Sequence, residues 1–493
     1  KLGKPVLATW MGGNDVGPGE LLLNKANIPT FPYPDTAARV FDYMAHYADN
    51  LSSLYETPMP ASHGDSNSVD RERAAQIIKA VRDSGRTILT EYESKQLLAC
   101  YGIPTVDTRI AKSEAEAAKA ADAIGYPVVL KLHSETITHK TDVGGVQLNL
   151  SDAAAVKKAY SAIQKSVTEK AGAEHFLGVT VQPMAKLDGY ELILGSSIDP
   201  QFGPVLLFGL GGQLVEVFKD RALGIPPLTT TLARRMMEQT RIYTALKGVR
   251  GRDPVDLAAL ERLLVRFSQL IAEQRWIKEL DINPLMASPE KLLALDARVL
   301  VYDKNTTEDR LPKLAIRAYP MKYVGKWTAR DKTEYTIRPI LPEDESLLVD
   351  FHKTLSERTV FMRYLQPMML QDRVMHERLS RICHSDYDRE ITLVVEGKNK
   401  EGQPSILGVG RLSKMHGTNE ARFSVLISDA YQGIGIGGEL LRRAVDVAKG
   451  EKLQAISATV SADNQPMRKL FEKVGFKLEP DSGDKLFTAR LEL

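Results

Sequence analysis

Residues 431–440 read YQGIGIGGEL. Gly433, Gly435 and Gly438 stand in the spacing G-x-G-x-x-G, which suits a phosphate. Glycines let the backbone approach an anion closely and adopt φ > 0, and N–H groups converging at a helix N-terminus favour negative charge. From Ile436 onward Leu440, Leu441, Ala444, Val445 and Ala448 form a helical stripe, so the loop opens a helix. Two features argue against a dinucleotide fold. Five residues, SDAYQ, separate the strand FSVLI from Gly433, and only 55 residues follow Gly438, too few to complete a doubly wound sheet. Gly438, which completes the dinucleotide match, is then incidental.

A second group of residues suits a nucleotide and its metal. Lys131 lies near the end of the apolar run YPVVLKL, and a lysine on a strand can hold phosphates. Asp281 and Asn283 in DINP are two apart on an extended stretch and face one side. Asp296, in LALDARV on the next strand, completes a set of hard oxygens of the kind Mg²⁺ prefers. FGLGGQ at 208–213 is either a nucleotide-side loop or a tight strand connection.

The elements that must position these residues span 493 positions, which implies two to four domains. With 43% hydrophobic and 26% charged residues the chain reads as globular. Its 65 basic and 63 acidic side chains nearly cancel, giving no reason to expect a nucleic-acid or membrane partner. Cys100 and Cys383 are the two cysteines, so a disulfide framework or thiolate metal site is not expected, and a reducing cytoplasmic setting fits. No apolar run reaches the length of a membrane span, and the start at Lys1 reads as a fragment of a longer protein. Strands and helices alternate through residues 1–60, 85–310 and 334–493, with linkers expected at 61–84 and 311–333. The helix at 257–271 gathers Leu257, Leu260, Leu264, Phe267 and Ile271 on one face.

The last block resembles the GNAT family of acyl-CoA-dependent N-acetyltransferases. QGIGIG matches that family's Q/R-x-x-G-x-G/A loop, and NQPMRKLFEKVGF at 464–476 matches its second signature, in the expected order. The resemblance implies a mixed α/β fold with acetyl-CoA as cofactor. Gln432, Gly433, Ile434, Gly435, Ile436 and Gly437 would cradle the pyrophosphate, and Val425, Leu426 and Ile427 would pair with the pantetheine arm. Asn464 would be a further coenzyme A contact. A lysine amine titrating near 10.4 must lose its proton at a cost of about 4.6 kcal/mol at pH 7, so a carboxylate base is expected. By resemblance it is Glu420, although Arg422 stands where related enzymes carry a second acid. Phe471 stands where many members have the tyrosine that protonates the leaving thiolate.

The middle block resembles the ATP-grasp domain of ADP-forming acyl-CoA synthetases, through HSETITHKTDVGGVQLNL, VTVQPMAKLDGYELILGSSIDPQFGPVLLFGLGG and ELDINPL. That implies ATP or ADP contact by Lys131 and Glu191, magnesium at Asn283 and Asp296 with Asp281 beside them, and phosphoryl relay by His139. Residues 1–60 more loosely resemble the end of the flavodoxin-like coenzyme A ligase portion. The α/β multidomain fusion resembles bacterial protein lysine acetyltransferases. That family implies lysine-bearing protein substrates, acyl-CoA synthetases and other metabolic enzymes among them, with a regulatory synthetase-like region and ligand-dependent homo-oligomers. The alternative is an active ADP-forming acetate–CoA ligase carrying an acetyltransferase domain.

Overall fold

The computed structural model describes residues 4–493 apart from 55, 57–68, 138, 186–188, 213–218, 250, 400–401 and 482–484. Two compact units divide the chain, residues 58–319 and residues 320–493 together with the first 57. Cys100 and Cys383 are free thiols. Among the described residues no helix is long and apolar enough to cross a membrane.

The first residues form the alternation expected of them: β1 (Ala8–Thr9), α1 (Gly17–Lys25), β2 (Thr30–Phe31) and α2 (Pro34–Leu54). The two short strands pair in parallel. The expected linker 61–84 needs correcting. Residues 61–68 lie outside the described residues, but Arg71–Asp83 is a helix, α3, whose Ala74, Ile77, Ile78 and Val81 are buried. Asp70 caps it by accepting the Arg73 N–H at 2.9 Å.

Residues 69–319 build two sheets. After α4 (Glu91–Cys100) come β3 (Arg109–Ala111), α5 (Glu114–Ile124), β4 (Val128–Leu132), β5 (Val146–Leu150), α6 (Ala153–Lys170) and β6 (Val179–Pro183). The strands pair antiparallel in the order β3-β6-β4-β5. Apolar residues of α5 and α6, such as Ala121 and Ile163, pack with Leu130 and Val181 of the strands. The chain continues through β7 (Tyr190–Asp199), β8 (Gly203–Leu210), β9 (Arg221–Gly224), α7 (Thr230–Glu238), α8 (Ile242–Leu246) and α9 (Leu257–Glu273). It ends with β10 (Ile277–Ala287), β11 (Leu292–Ala294) and β12 (Ala297–Val301). Here β10 is central, paired with β7 on one edge and with β11 and β12 on the other. Leu260, Leu264, Phe267 and Ile271 of α9 are buried in this sheet's core, as their spacing predicts, while Leu257 is only partly buried against it. One expectation changes: the run LLALDARV is two strands, and Asp296 sits in the break between them.

The C-terminal domain is an eight-stranded sheet, formed from β13 (Gly325–Thr328), β14 (Glu334–Pro339), α10 (Glu345–Lys353), α11 (Glu357–Tyr364), α12 (Leu370–Arg373) and α13 (His376–Cys383) onward. There follow β15 (Glu390–Lys398), β16 (Pro404–Lys414), β17 (Glu420–Ile427), α14 (Ile436–Gly450), β18 (Ala455–Ser461), α15 (Gln465–Val474), β19 (Lys477–Pro480) and β20 (Leu486–Glu492). Strand β13 lies inside the expected linker 311–333, and Trp327 and Ala329 join the domain core, so the domain begins earlier than residue 334. The sheet order is β13-β14-β15-β16-β17-β18-β20-β19, and β17–β18 is its parallel pair. Alternation sends Ala421, Phe423 and Val425 towards α14 and α15, while Leu426 joins α10, α11 and α13 on the other face. Arg338 on β14 fixes the entry to α10 by donating to both Asp344 oxygens at 2.7 Å.

Candidate functional sites

Strands β17 and β18 form a fork. They pair only at Glu420–Ala455, Ala421–Ile456 and Arg422–Ser457, then separate. Phe423–Ile427 and Ala458–Val460 line the resulting cavity of about 1520 Å³. Along that stretch β17 remains bonded to β16 by its other edge, so its open edge offers main-chain donors and acceptors to a ligand.

The glycine loop stands at the wide end of the fork. Gly433 (φ 84°) and Gly435 (φ 109°) take left-handed conformations that a side chain would strain, and Gly435 is the N-cap of α14. Two loop carbonyls are engaged by Arg330, which also lines the cavity: Gly433 accepts from its Nη1 at 3.4 Å and Ile434 from its N–H at 3.1 Å. The first N–H groups of α14 are left for an anion, in line with the helix dipole. Gln432 lines the cavity and also braces the loop. Its Nε2 donates to Thr359 Oγ1 (3.2 Å), Asp429 Oδ1 (3.3 Å) and the Ile427 carbonyl (3.3 Å), so its side chain pins the loop to α11 and to the end of β17. Asp429 completes the brace, accepting from the Thr359 hydroxyl at 2.7 Å and the Ser356 N–H at 3.2 Å. Those bonds hold the Asp429 carboxyl below its ordinary range despite the opposing effect of burial.

Ile436 is buried in the core and Ile434 packs against it, and neither lines the cavity. Gly437 and Gly438 both line it. Gly438 is therefore part of the cradle and not incidental. Asn464 borders the cavity and caps α15, its Oδ1 accepting the Met467 N–H at 3.2 Å. Phe471 is buried against Phe476 with ring centroids 5.0 Å apart, and reaches the cavity without a hydroxyl.

Glu420 is the expectation that the geometry corrects. It lies in the closed part of the fork and does not line the cavity. Both its oxygens accept from Arg490, at 2.8 and 2.7 Å, and that pairing lowers its pKa. A carboxylate so engaged is a poor proton acceptor, and it stands at the wrong end of the strand.

In the other unit, the centre is Glu91, which sequence reasoning missed. A capping box places it in the first turn of α4: Thr90 Oγ1 accepts the Glu93 N–H at 3.2 Å and Glu93 accepts the Thr90 N–H at 2.8 Å. Its carboxylate is 3% exposed and accepts from Lys95 (2.8 Å), Lys131 (3.0 Å), Gln182 (2.6 Å) and Lys140. Burial opposes the charge on Glu91, but the three ammonium groups outweigh it and hold its pKa well below the carboxylate range. Burial pushes Lys95 down to about 8. Burial also opposes the charge on Lys131, but Glu91 and Asp296 prevail and raise its pKa. Three ammonium groups against Glu91 and Asp296 leave one positive charge in excess.

Lys131 also points at Asp296, 3.9 Å away. Asn283 and Asp296 come opposite one another, between the Ile282–Ala297 pair and the bond from the Leu295 N–H to the Pro284 carbonyl (3.1 Å). Asp281 does not join them as a metal ligand, because Arg298 binds it at 3.0 Å and supplies its countercharge. Among the described residues no group of three His, Cys, Asp or Glu is placed to hold a metal. Two hard oxygens suit Mg²⁺ that draws its other ligands from phosphates and water. Gly212, just past the end of β8, is tied to this place: its N–H donates to Asn283 Oδ1 at 2.9 Å, and a Cβ would sit 1.9 Å from Glu191 Oε2. Gln213 lies outside the described residues. His139 is exposed, one residue from Lys140.

Comparison with known proteins matches a domain family to each of the two regions. An ATP-grasp domain model matches residues 80–301 and a GNAT acetyltransferase domain model residues 335–477. Over 231 residues the chain is 39% identical to the beta subunit of ADP-forming acetate–CoA ligase II of Pyrococcus furiosus, covering 46% of this chain and 98% of that one. It is 37% identical over 286 residues to the ADP-forming 4-hydroxybutyrate–CoA ligase of Nitrosopumilus maritimus, covering 58% of this chain. It spans only 40% of that ligase's length. An acetyltransferase of Pseudomonas aeruginosa is 27% identical over 154 residues, 31% of this chain and 81% of that one. Among solved structures, acetyl-coenzyme A synthetase 1 of Ca. Korarchaeum cryptofilum in complex with coenzyme A shares 39% identity over 46% of this chain and all of that chain, with a TM-score of 0.45. The molecule is thus an ATP-grasp protein fused to a GNAT acetyltransferase domain. Through its ATP-grasp region it belongs to the ADP-forming acyl-CoA synthetase family.

Proposed function

We propose that the C-terminal domain transfers the acetyl group of acetyl-CoA to lysine side chains of proteins in the cytoplasm, while the ATP-grasp domain binds ATP or ADP with Mg²⁺ and regulates that transfer. The forked strands beside the glycine loop carry this reading. When bound, acetyl-CoA supplies a thioester-activated acetyl group. The open edge of β17 would pair with an extended arm, and the N–H groups of Gly433–Gly437 would take a pyrophosphate. The amine nitrogen forms a bond to the acetyl carbon, the carbon–sulfur bond breaks, and the amine gives up a proton to water. Phe471 has no proton to offer, so sulfur leaves as thiolate. Substrate proteins include acyl-CoA synthetases and other metabolic enzymes. In the ATP-grasp domain Lys131 and Lys140 would meet phosphates, and Asn283 and Asp296 would hold the metal. Incubating the chain with labelled acetyl-CoA and acyl-CoA synthetases tests the proposal. Label on lysine supports it, and absence of label from every lysine refutes it.

A second reading, an active ADP-forming ligase, is favoured by the Glu91 cluster and by the named activities of the relatives. Acetyl-CoA formed by the full-length protein from acetate, ATP and coenzyme A would establish it.

A further inference from the structure

The sheet face that meets the acceptor is unusual for a site that must receive an ammonium group. Arg422 and Ser424 project from β17 to the face away from α14 and α15, and register sets Arg411 of β16 beside Ser424. From α11, Arg363 donates to Ser424 Oγ at 2.7 Å. Arg363 and Arg422 both line the cavity, and Arg422 belongs to the last residue pair before the strands separate. A thioester lying between the strands would end here, so an acceptor amine must arrive past these arginines.

The carboxylates of the same face are already committed. Glu390 accepts from Arg411 and from Ser413 Oγ (3.0 Å), and Glu420 is held by Arg490. Among the described residues Arg363 and Arg422 have no carboxylate partner. Tyr364 lies between the guanidinium groups of Arg363 and Arg378, 5.0 and 5.1 Å from its ring, which keeps like charges close together. Burial first, and then Arg411 and Arg378, lower the Arg363 pKa despite an opposing effect of Tyr364. A free lysine side chain would be repelled by this field, whereas one carried among carboxylates would be drawn into it.

We infer that the acceptor lysine is presented by an acidic peptide segment, whose carboxylates engage Arg363 and Arg422 at the base of the fork. The inference rests on the acetyl-transfer reading. It is tested with the full chain, acetyl-CoA and equal-length peptides carrying one lysine flanked by glutamates or by glutamines. The glutamate peptide is expected to have the higher kcat/KM by about fivefold at low salt, the upper range for exposed charge pairs, with the ratio shrinking as salt rises. Arg422 is exposed, so its substitution spares the core. Arg422→Gln should reduce the ratio and Arg422→Glu abolish it. Equal kcat/KM on the two peptides, or a ratio unmoved by both variants, would overturn the inference and leave acetyl transfer standing. Absence of transfer to every peptide and protein would overturn both.

Discussion

In the C-terminal domain the groups available to an anion are main-chain amides at the start of α14, whereas in the ATP-grasp domain they are three ammonium groups gathered on Glu91. The amide site has no titrating member, and bonds from Arg330 and Gln432 hold it open. The ammonium site would push itself apart without a ligand. Glu91 prevents this by standing where it can accept from all three lysines, so its work is to keep the site assembled. A backbone cradle is thus vulnerable at its glycines, and a side-chain cradle at its counter-ion.

Substitutions can break that comparison. The largest effect is expected from Glu91→Ala, which leaves buried lysines facing one another. It should cost the ATP-grasp unit about 3–5 kcal/mol in denaturant unfolding while the C-terminal transition stays in place. Gly435→Ala forces a side chain into left-handed backbone, 3.4 Å from the Trp327 ring, at about 1–2 kcal/mol. Acetyl-CoA affinity should fall about tenfold by calorimetry. Gln432→Ala removes the brace and leaves the glycines, so a smaller loss of about fivefold is expected, equivalent to one hydrogen bond. Glu420→Gln should change acetyl-transfer kcat/KM by less than about twofold. A loss of about a hundredfold would mark it as the base after all.

The pH response sharpens the contrast further. Lys95, lowered from 10.5 to about 8, is partly neutral at pH 8. A bound phosphate raises its pKa, so ATP binding at pH 8 should take up a fraction of a proton, seen as a buffer-dependent calorimetric heat. Acetyl-CoA binding at the amide cradle should show no such uptake from its loop. For stability the sign is the reverse of a stabilising lysine pair. The unfolded chain holds more protons between pH 8 and 10.5, so the burial penalty of Lys95 is present below pH 8 and relieved as pH rises.

The two sites were unequally legible in sequence. The glycine loop, its helix and Asn464 lie within a short stretch whose spacing carries the geometry. Glu91 lies 40 residues from Lys131 and 49 from Lys140, and only the placing of α4, whose Leu97 and Leu98 are buried in the second sheet's core, brings them together. Its local trace was Glu91 and Lys95 at i, i+4, a pattern that ordinarily marks a solvated helix face. Asp281 looked like a ligand because alternation sets it beside Asn283, but strand register supplies Arg298 opposite it. Glu420 was assigned by resemblance, as the glutamate on the strand before the loop, and the arginine that engages it comes from the last strand of the domain.

The fork also governs how the C-terminal sheet holds together. Strands β13–β17 and β18–β20 are joined by three residue pairs, fewer than unite most neighbouring strands on either side. A molecule seated between the open edges adds main-chain bonds across that seam. Occupancy should therefore slow amide hydrogen exchange in β18 and β20 more than in β14 or β15. An acyl donor seated there would in this sense be a missing length of the sheet, and the seam would close fully only while the domain carries its cargo.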